Sequence, residues 1–511
     1  MLTVSRIAVA IVLATAILHP STSAQTQPVS HAADSPAPQP NKKQTATPVK
    51  LGPFNVSGSW RVRMEAPDWF DAPGFNDDYA YVQSIFRLSF GLQRKTWDFN
   101  FELSQPSVLG LPDDAVAPGA PGQLGLGANY FAANDNQRYA AWVYPSKLYL
   151  RFKNFGGDAQ NQLTIGRFEF VEGMEPGTTD KTLTALKAMR IAHRLIGPFT
   201  FAVHGRSQDG ATLSLMAPGN SNLTFAAARP TRGVFQMDGL GELDISWEYG
   251  AYTKPFTFKN GAAEFRLFGL GYQDYRAVAK TDNRPALVRS GIDRFENINI
   301  GSYGADFLHV LNTKSAGKWD LLLWGVAQTG EWGVQDHRAG AGAAELGWQP
   351  PITSLKPWLR VGYFIGSGDG DPNDNEHNTF FQVLPTPRWY ARYPFYNLQN
   401  SQDASATLIL RPGTKWNIRS EYHNLSLASR NDLWYQGGGA FQPHTFGYIG
   451  RPSNGNKGFA NVWDISADYQ LNSKLVIGFY FANVWGHSVI RSIYPTGDTS
   501  RFGFTEVTYK F

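Results

Sequence analysis

The feature that most constrains this chain is a hydrophobic period of two. Between Lys95 and Gln105, the residues Trp97, Phe99, Phe101 and Leu103 alternate with Asp98, Asn100, Glu102 and Ser104. At that period successive side chains point to opposite sides, so the segment is a strand with one apolar and one polar face. Lys147–Lys153 repeats the pattern, with Leu148, Leu150 and Phe152 on one side and Lys147, Tyr149, Arg151 and Lys153 on the other. Ser59–Glu65, Lys415–His423, Glu242–Tyr249 and Trp463–Tyr469 follow suit. A chain patterned this way must pair its strands and cover its apolar faces.

A soluble sandwich alternates too, so the cover has to be argued. The apolar faces here carry aromatics near the strand ends, drawn from 15 Trp, 22 Tyr and 34 Phe. Charged residues are 17% of the chain, against about 25% in soluble domains. Mean hydropathy is nevertheless −0.31, which excludes a bundle of apolar helices. Bands of aromatics flanking an apolar face are the girdles of a transmembrane barrel. In lipid every backbone group must be paired within the protein, so a spanning sheet must close. The chain also ends TEVTYKF, with Val507, Tyr509 and Phe511 on one face. That ending resembles the C-terminal signature of bacterial outer-membrane barrels.

Counting back from Phe511 predicts strands near 501–511, 474–485, 459–471, 414–424, 403–411 and 357–366. Connections at 486–500, 425–458 and 367–402 are long; those at Leu471–Lys474 and Arg411–Thr414 are short. Further short turns are expected near 92–95, 155–160, 196–198 and 312–317. The predicted fold class is all-β: a transmembrane antiparallel β-barrel of about 18 strands, with long extracellular loops and short periplasmic turns. Residues 210–229 read either as an external loop or as a further hairpin, which would make about 20 strands. The barrel is assigned to 51–511. Before it, residues 1–24 read as a secretory signal peptide: Arg6, then the apolar run Ile7–Leu18, then small residues at Thr22-Ser23-Ala24. Residues 25–50, rich in Pro, Gln and Thr, read as a disordered leader. The expected location is the cell outer membrane after signal-peptide cleavage. The absence of cysteine excludes a disulfide scaffold and a thiol nucleophile. A net charge of +4 gives no argument for nucleic acid.

In a barrel the polar faces line a water-filled lumen. Alternation puts Arg61, Arg63, Arg87, Lys147, Arg151, Lys153, Arg190, Arg194 and Arg206 on that face, and later Arg266, Arg360, Arg411, Lys415 and Arg419. Acids are interleaved: Glu65, Asp98, Glu102, Asp244, Glu248, Glu421, Asp464 and Asp468. Rings of Arg and Lys favour anions, and guanidinium forks match carboxylates. The plainer alternative is that Arg–acid ladders brace the wall. At Gly166 the pattern changes phase, from Leu163 and Ile165 to Phe168 and Phe170, so a bulge or bend is expected that aims Arg167 and Glu169 inward. Asp369, Asp371, Asp374 and Glu376 form an acidic run with a weak claim to Ca²⁺, which turn chemistry explains equally well. No other metal and no cofactor is expected. Phe380, Phe381, Trp389, Tyr390, Tyr393, Phe395 and Tyr396 follow, and a loop so aromatic is expected to fold into the mouth, where it can stack on sugar rings.

LTIGRFEFVEG (163–173), RPTRGVF (229–235) and GYFIGSGDGDPNDNEHNTFFQVLPT (362–386) resemble the alginate export family. The resemblance extends from about Val56 to Phe511. It implies an 18-stranded β-barrel passing an anionic polyuronate through an Arg/Lys-lined lumen. The expected function is therefore an anion-selective outer-membrane channel for an anionic polysaccharide or oligosaccharide, with a general or other-substrate porin as the alternative. Expected partners are outer-membrane lipid, the anionic saccharide and periplasmic export proteins, with the barrel a monomer. No Gly-x-Ser-x-Gly elbow and no His-Glu-x-x-His motif is present, so no enzymatic role is expected.

Overall fold

The computed structural model describes residues 49–511. The signal peptide and nearly all of the leader lie outside them. Val49–Leu51, overlapping the last residues assigned to the leader, is already a short strand paired with Phe54–Val56.

Eighteen strands close into one antiparallel barrel. In chain order they are β1 (Phe54–Asp68), β2 (Tyr81–Gln93), β3 (Trp97–Leu109), β4 (Tyr144–Lys153), β5 (Gln162–Phe168) and β6 (Gln208–Ala217). Then come β7 (Ser221–Pro230), β8 (Ile245–Phe258), β9 (Gly261–Asp274), β10 (Ile298–Thr313), β11 (Gly317–Trp332) and β12 (Gln335–Gln349). The last six are β13 (Trp358–Gly366), β14 (Ser401–Leu410), β15 (Trp416–Ser426), β16 (Gly458–Gln470), β17 (Leu475–Gly486) and β18 (Thr499–Lys510). The ring closes where β1 pairs with β18, from Ser59↔Lys510 to Asp68↔Arg501.

The short connections gather at one end: 94–96, 154–161, 218–220, 259–260, 314–316, 350–357, 411–415 and 471–474. The other end carries 69–80, 110–143, 169–207, 231–244, 275–297, 367–400, 427–457 and 487–498, plus one tight turn at Gly333 and Val334. Two expectations are corrected. Residues 210–229 are neither an external loop nor an extra pair: they form the β6–β7 hairpin, and the count is eighteen with them included. Residues 196–198 are no turn between strands but sit inside the long connection 169–207.

The outer face follows the period-two pattern. Trp60, Met64, Leu148, Leu150, Phe152, Tyr303 and Val361 are exposed on it. A stacked Trp319–Trp348 pair and a tilted Trp416–Tyr469 pair mark the short-turn end, and Trp142 and Trp485 are exposed at the other. Two shallow hollows of about 720 and 550 Å³ lie across β7–β13, floored by residues such as Gly250, Gly269 and Gly325. They are depressions in the lipid-facing wall.

The phase change at Gly166 is not a bulge. Pairing runs unbroken through it, Tyr149↔Gly166 on one side and Gly166↔Gly210 on the other. Its φ of 122° and the Leu148 carbonyl, 2.3 Å from where a Cβ would stand, explain why only glycine fits. Phe168 turns inward because the lumen at this level is filled by protein, not water. Phe170 packs there against Trp247 and Tyr249. A real bulge occurs in β4, where Ser146 is inserted between Pro145 and Lys147 opposite Glu102 and Leu103. It turns both Ser146 and Lys147 inward, onto Glu102.

Candidate functional site

Two external connections fold into the barrel and define its constriction. In 169–207, Asp180 caps α1 (Lys181–Leu186), its carboxylate accepting from the backbone N–H groups of Thr182 and Leu183 at 2.8 and 3.0 Å. The helix runs on through a π-turn at Lys187–Ile191 and ends at His193, whose φ is 69°. In 367–400, the run from Phe380 to Asn400 is almost wholly buried. The two segments are stitched together by main-chain bonds. Leu384 donates to the Leu195 carbonyl at 2.8 Å, Gly197 to Leu384 at 2.8 Å and Thr386 to His193 at 2.9 Å. A hairpin in 427–457, Leu433–Gly437 with Tyr448–Pro452, lies against them, and Tyr448 donates to the Val383 carbonyl.

Arginines bind these segments to the wall. Arg61 donates to the carbonyls of Thr200, Ala202 and Val203 at 2.7–3.1 Å. Arg63 joins Glu506, Glu65 and the Phe201 carbonyl, with its guanidinium over Phe201 and Phe504. Glu65 in turn accepts from Tyr81. Arg190 grips Glu345 at 2.8 Å, and Arg360 holds Glu345 and Asp320. Arg194 lies over the rings of Trp324 and Tyr390, 3.8 Å from Glu345. Arg266 is surrounded by Asp306, Glu172 and Glu175. Arg419 meets Glu421 at 2.5 Å. Asp464 faces Glu421 across the β15–β16 pair and accepts from Tyr480.

Three buried guanidiniums have no carboxylate within reach among the described residues. Arg206 donates to the carbonyls of Gly197, Leu384 and Gly438, so it ties three connections together. Arg388 donates to Tyr396 and Pro394, and Arg451 to Ala120, Pro121 and Gln123. Burial lowers the Arg206 guanidinium to about 10 and Arg388 to about 9, so both are charged at neutral pH. Burial also pushes His193 down to about 3. Its ring is neutral, stacked on Trp389 and in contact with Thr386.

Toward the short turns the lumen-facing side chains are half-open instead. Arg151 leans on Tyr149 and Thr164, and Lys153 pairs with Asp98 at 2.8 Å. Lys147 contacts Glu102 and Glu169 higher up. Arg87, on the inward face of β2 opposite Ser59 and Ser104, makes no hydrogen bond or ion pair among the described residues.

Several expected positions move. Arg190, Arg194 and Arg206 do enter the lumen, but from the infolded segment, not from strands. Arg167 lies on the outer face beside Leu148, at the external rim, where it makes a two-pronged pair with Asp209 at 2.6 and 2.7 Å. Register also places Glu248 outward, on the same face as exposed Tyr252. Lys415 and Arg411 sit in the short turn 411–415, and Lys415 donates to the Leu471 carbonyl at 3.4 Å. The acidic run builds its own turns: Asp369 accepts from the Asp371 N–H, Asp371 from Asn373 and Asp374 from Glu376. Among the described residues no group of three His, Cys, Asp or Glu side chains is placed to hold a metal ion. The aromatic run does fold inward. Tyr393 and Phe395 pack on Trp69 and Phe70, so these rings are core and not an open sugar platform.

Sequence reasoning missed Glu506, Glu345, Asp320 and the two glutamates Glu172 and Glu175. Glu506 was visible as the inward residue of TEVTYKF, and Glu345 and Asp320 as lone acids on inward positions of apolar strands. Glu172 and Glu175 lie in the infolded connection, where no period marks them.

An eighteen-stranded closed barrel with aromatic girdles, a polar interior and infolded external connections has the architecture of an outer-membrane porin. The fold is similar to that of OccAB2 of Acinetobacter baumannii, with a TM-score of 0.54 and 11% identity over 90% of this chain and 99% of that one. It is similar as well to OpdK of Pseudomonas aeruginosa, at 0.52, 9%, 89% and 99%, and to OccK9 (OpdG) of the same organism, at 0.52, 11%, 89% and 97%. Within that class, residues 266–486 match the alginate export family model, from β9 to the end of β17. Of the three sequence stretches that resemble the family, 362–386 lies inside this match, while 163–173 and 229–235 lie before it. No curated protein matches the chain.

Proposed function

We propose that this barrel conducts an anionic saccharide, of polyuronate type, across the outer membrane. The observation that carries the reading is the pair of buried guanidiniums at the constriction held only by backbone carbonyls, Arg206 and Arg388. A carbonyl satisfies the donors without cancelling the charge, so the narrow part of the lumen keeps a positive field. Low dielectric around it strengthens that field. Arg87, Arg151 and Lys153 extend it toward the short turns, where an entering carboxylate meets partly hydrated cations. Periplasmic delivery or removal of the polymer by other proteins, and function as a monomer, belong to the same reading.

A second reading is a porin for small carboxylates. It is favoured by how closely the infolded segments fill the lumen, and OpdK, similar in fold at a TM-score of 0.51 and 10% identity, has been crystallised with vanillate. Planar-bilayer recording separates the two. Oligouronates should block an anion-selective current at lower concentration than neutral oligosaccharides of equal length. Equal block by the neutral sugars removes the polyuronate reading. Block by small aromatic carboxylates alone establishes the second.

A further inference from the structure

We infer that the external connections 367–400 and 427–457 are held together by a proton-sensitive carboxyl clasp, Asp369 with Asp432, that tightens as the outside medium is acidified. Both side chains are about 1% exposed. Asp432 carries a full set of donors. Its Oδ1 accepts from the Tyr435 hydroxyl at 2.6 Å and the Leu433 N–H at 2.7 Å; its Oδ2 accepts from the Thr379 hydroxyl at 2.6 Å and the Asp369 N–H at 2.9 Å. The last two bonds cross from one connection to the other. Beside them lies the Asp369 carboxyl, whose Oδ1 accepts from the Asp371 N–H at 3.0 Å, while its buried Oδ2 has no hydrogen bond of ordinary length among the described residues and only the Asn378 backbone nearby.

An anion in that position is poorly compensated: it is buried, faces a second carboxylate and has only backbone N–H groups of its own connection beside it. A proton on Asp369 removes the penalty and leaves the donors of Asp432 in place. Charge around the pair adds to the pressure. Asp371 and Asp374 are on the same connection, and Tyr435 approaches from the other. Asp282, in 275–297, faces Tyr435. No cation among the described residues pairs with either carboxylate.

Burial first, then the neighbouring carboxylates, raise Asp369 from 3.8 to about 6, and burial raises Asp432 to about 6. With the connections apart both carboxyls are hydrated and titrate near 3.8. A group whose affinity for protons is raised in the closed form stabilises that form most fully below its open-state value and loses the contribution as pH rises through about 6. For one such carboxyl, the closed-to-open ratio falls about tenfold between pH 5 and pH 8.

The chain has no cysteine, so two spin labels report on the clasp directly. In the full-length protein in bilayers, labels at Asn373→Cys and Arg430→Cys should give a narrow distance distribution at pH 5 and a broader, longer one at pH 8. Asp369→Asn should weaken the pH response to what Asp432 alone supplies. Thr379→Val, which deletes one cross-connection bond, should broaden the distribution at both pH values. An unchanged distribution in the unsubstituted protein overturns the inference, as does a pH response that survives Asp369→Asn combined with Asp432→Asn. The inference rests on the channel reading only for its consequence, a current that falls with external acid. Labels that switch while no current flows would leave the clasp standing and remove the channel.

Discussion

Two levels of the lumen use the same residue type in opposite ways. Around the infolded segments arginines are buried and every one is committed: Arg63 and Arg360 to acids, Arg61 and Arg206 to carbonyls. Near the short turns Arg87, Arg151 and Lys153 are half-open, and their contacts are few. Against protein backbone a guanidinium is a brace with five donors to satisfy. Against water it is a field. Counting lumen cations from sequence therefore overstates the number available to a solute and understates how many hold the constriction in place.

The comparison breaks most easily at Arg266. Replacing it with Ala leaves Glu172, Glu175 and Asp306 buried without their shared cation. The expected cost is about 3–5 kcal/mol, read as a fall in the urea midpoint of the heat-modifiable folded band. An unchanged midpoint would mean that the upper cations are not braces. Next in size, Arg206→Gln releases carbonyls on three connections. Single-channel conductance should rise severalfold, with more frequent transitions, since each charged hydrogen bond contributes about 1.5–3 kcal/mol. A trace identical to the parent would place the constriction elsewhere.

The lower level predicts the reverse combination. Charge reversal of Arg87, Arg151 and Lys153 to Glu should shift the reversal potential toward cations and leave the urea midpoint alone. The shift should shrink as ionic strength rises. Smallest of all, Lys153→Ala alone should change stability by less than about 1 kcal/mol, because its pair with Asp98 is partly solvated. A larger loss would erase the difference between the two levels. Acid acts on the constriction as well. His193 is neutral when folded, so the infolded segment should loosen as pH falls from 6.5 toward about 3. Amide exchange in 187–200, corrected for its intrinsic rate, should show this, and His193→Gln should abolish it.

The barrel was legible because period two is a property of each strand alone. Trp97, Phe99 and Phe101 sort from Asp98, Asn100 and Glu102 without knowledge of any partner. The last six strands and their connections were read within a few residues for that reason. The constriction was not legible, because its residues obey no period. Arg190, Arg194 and Arg206 read as strand cations, when a short capped helix and an irregular run carry them inward. Arg167 misled in another way. Its phase change suggests a bulge, whereas the pairing is unbroken and Phe168 turns inward onto packed protein.

The seam between β1 and β18 has a consequence for biogenesis. Gly58 and Phe511 exchange two main-chain bonds of 3.0 Å, and Arg63 and Glu506 meet across 443 residues of sequence. Among the described residues no hydrogen bond has a larger span of chain to close, and loop closure of that length is slow. Until the final strand arrives, two edges stand open, each a template for pairing with another chain. Assembly of this wall therefore waits on β18, and the unfinished sheet needs an escort for as long as its two edges remain apart.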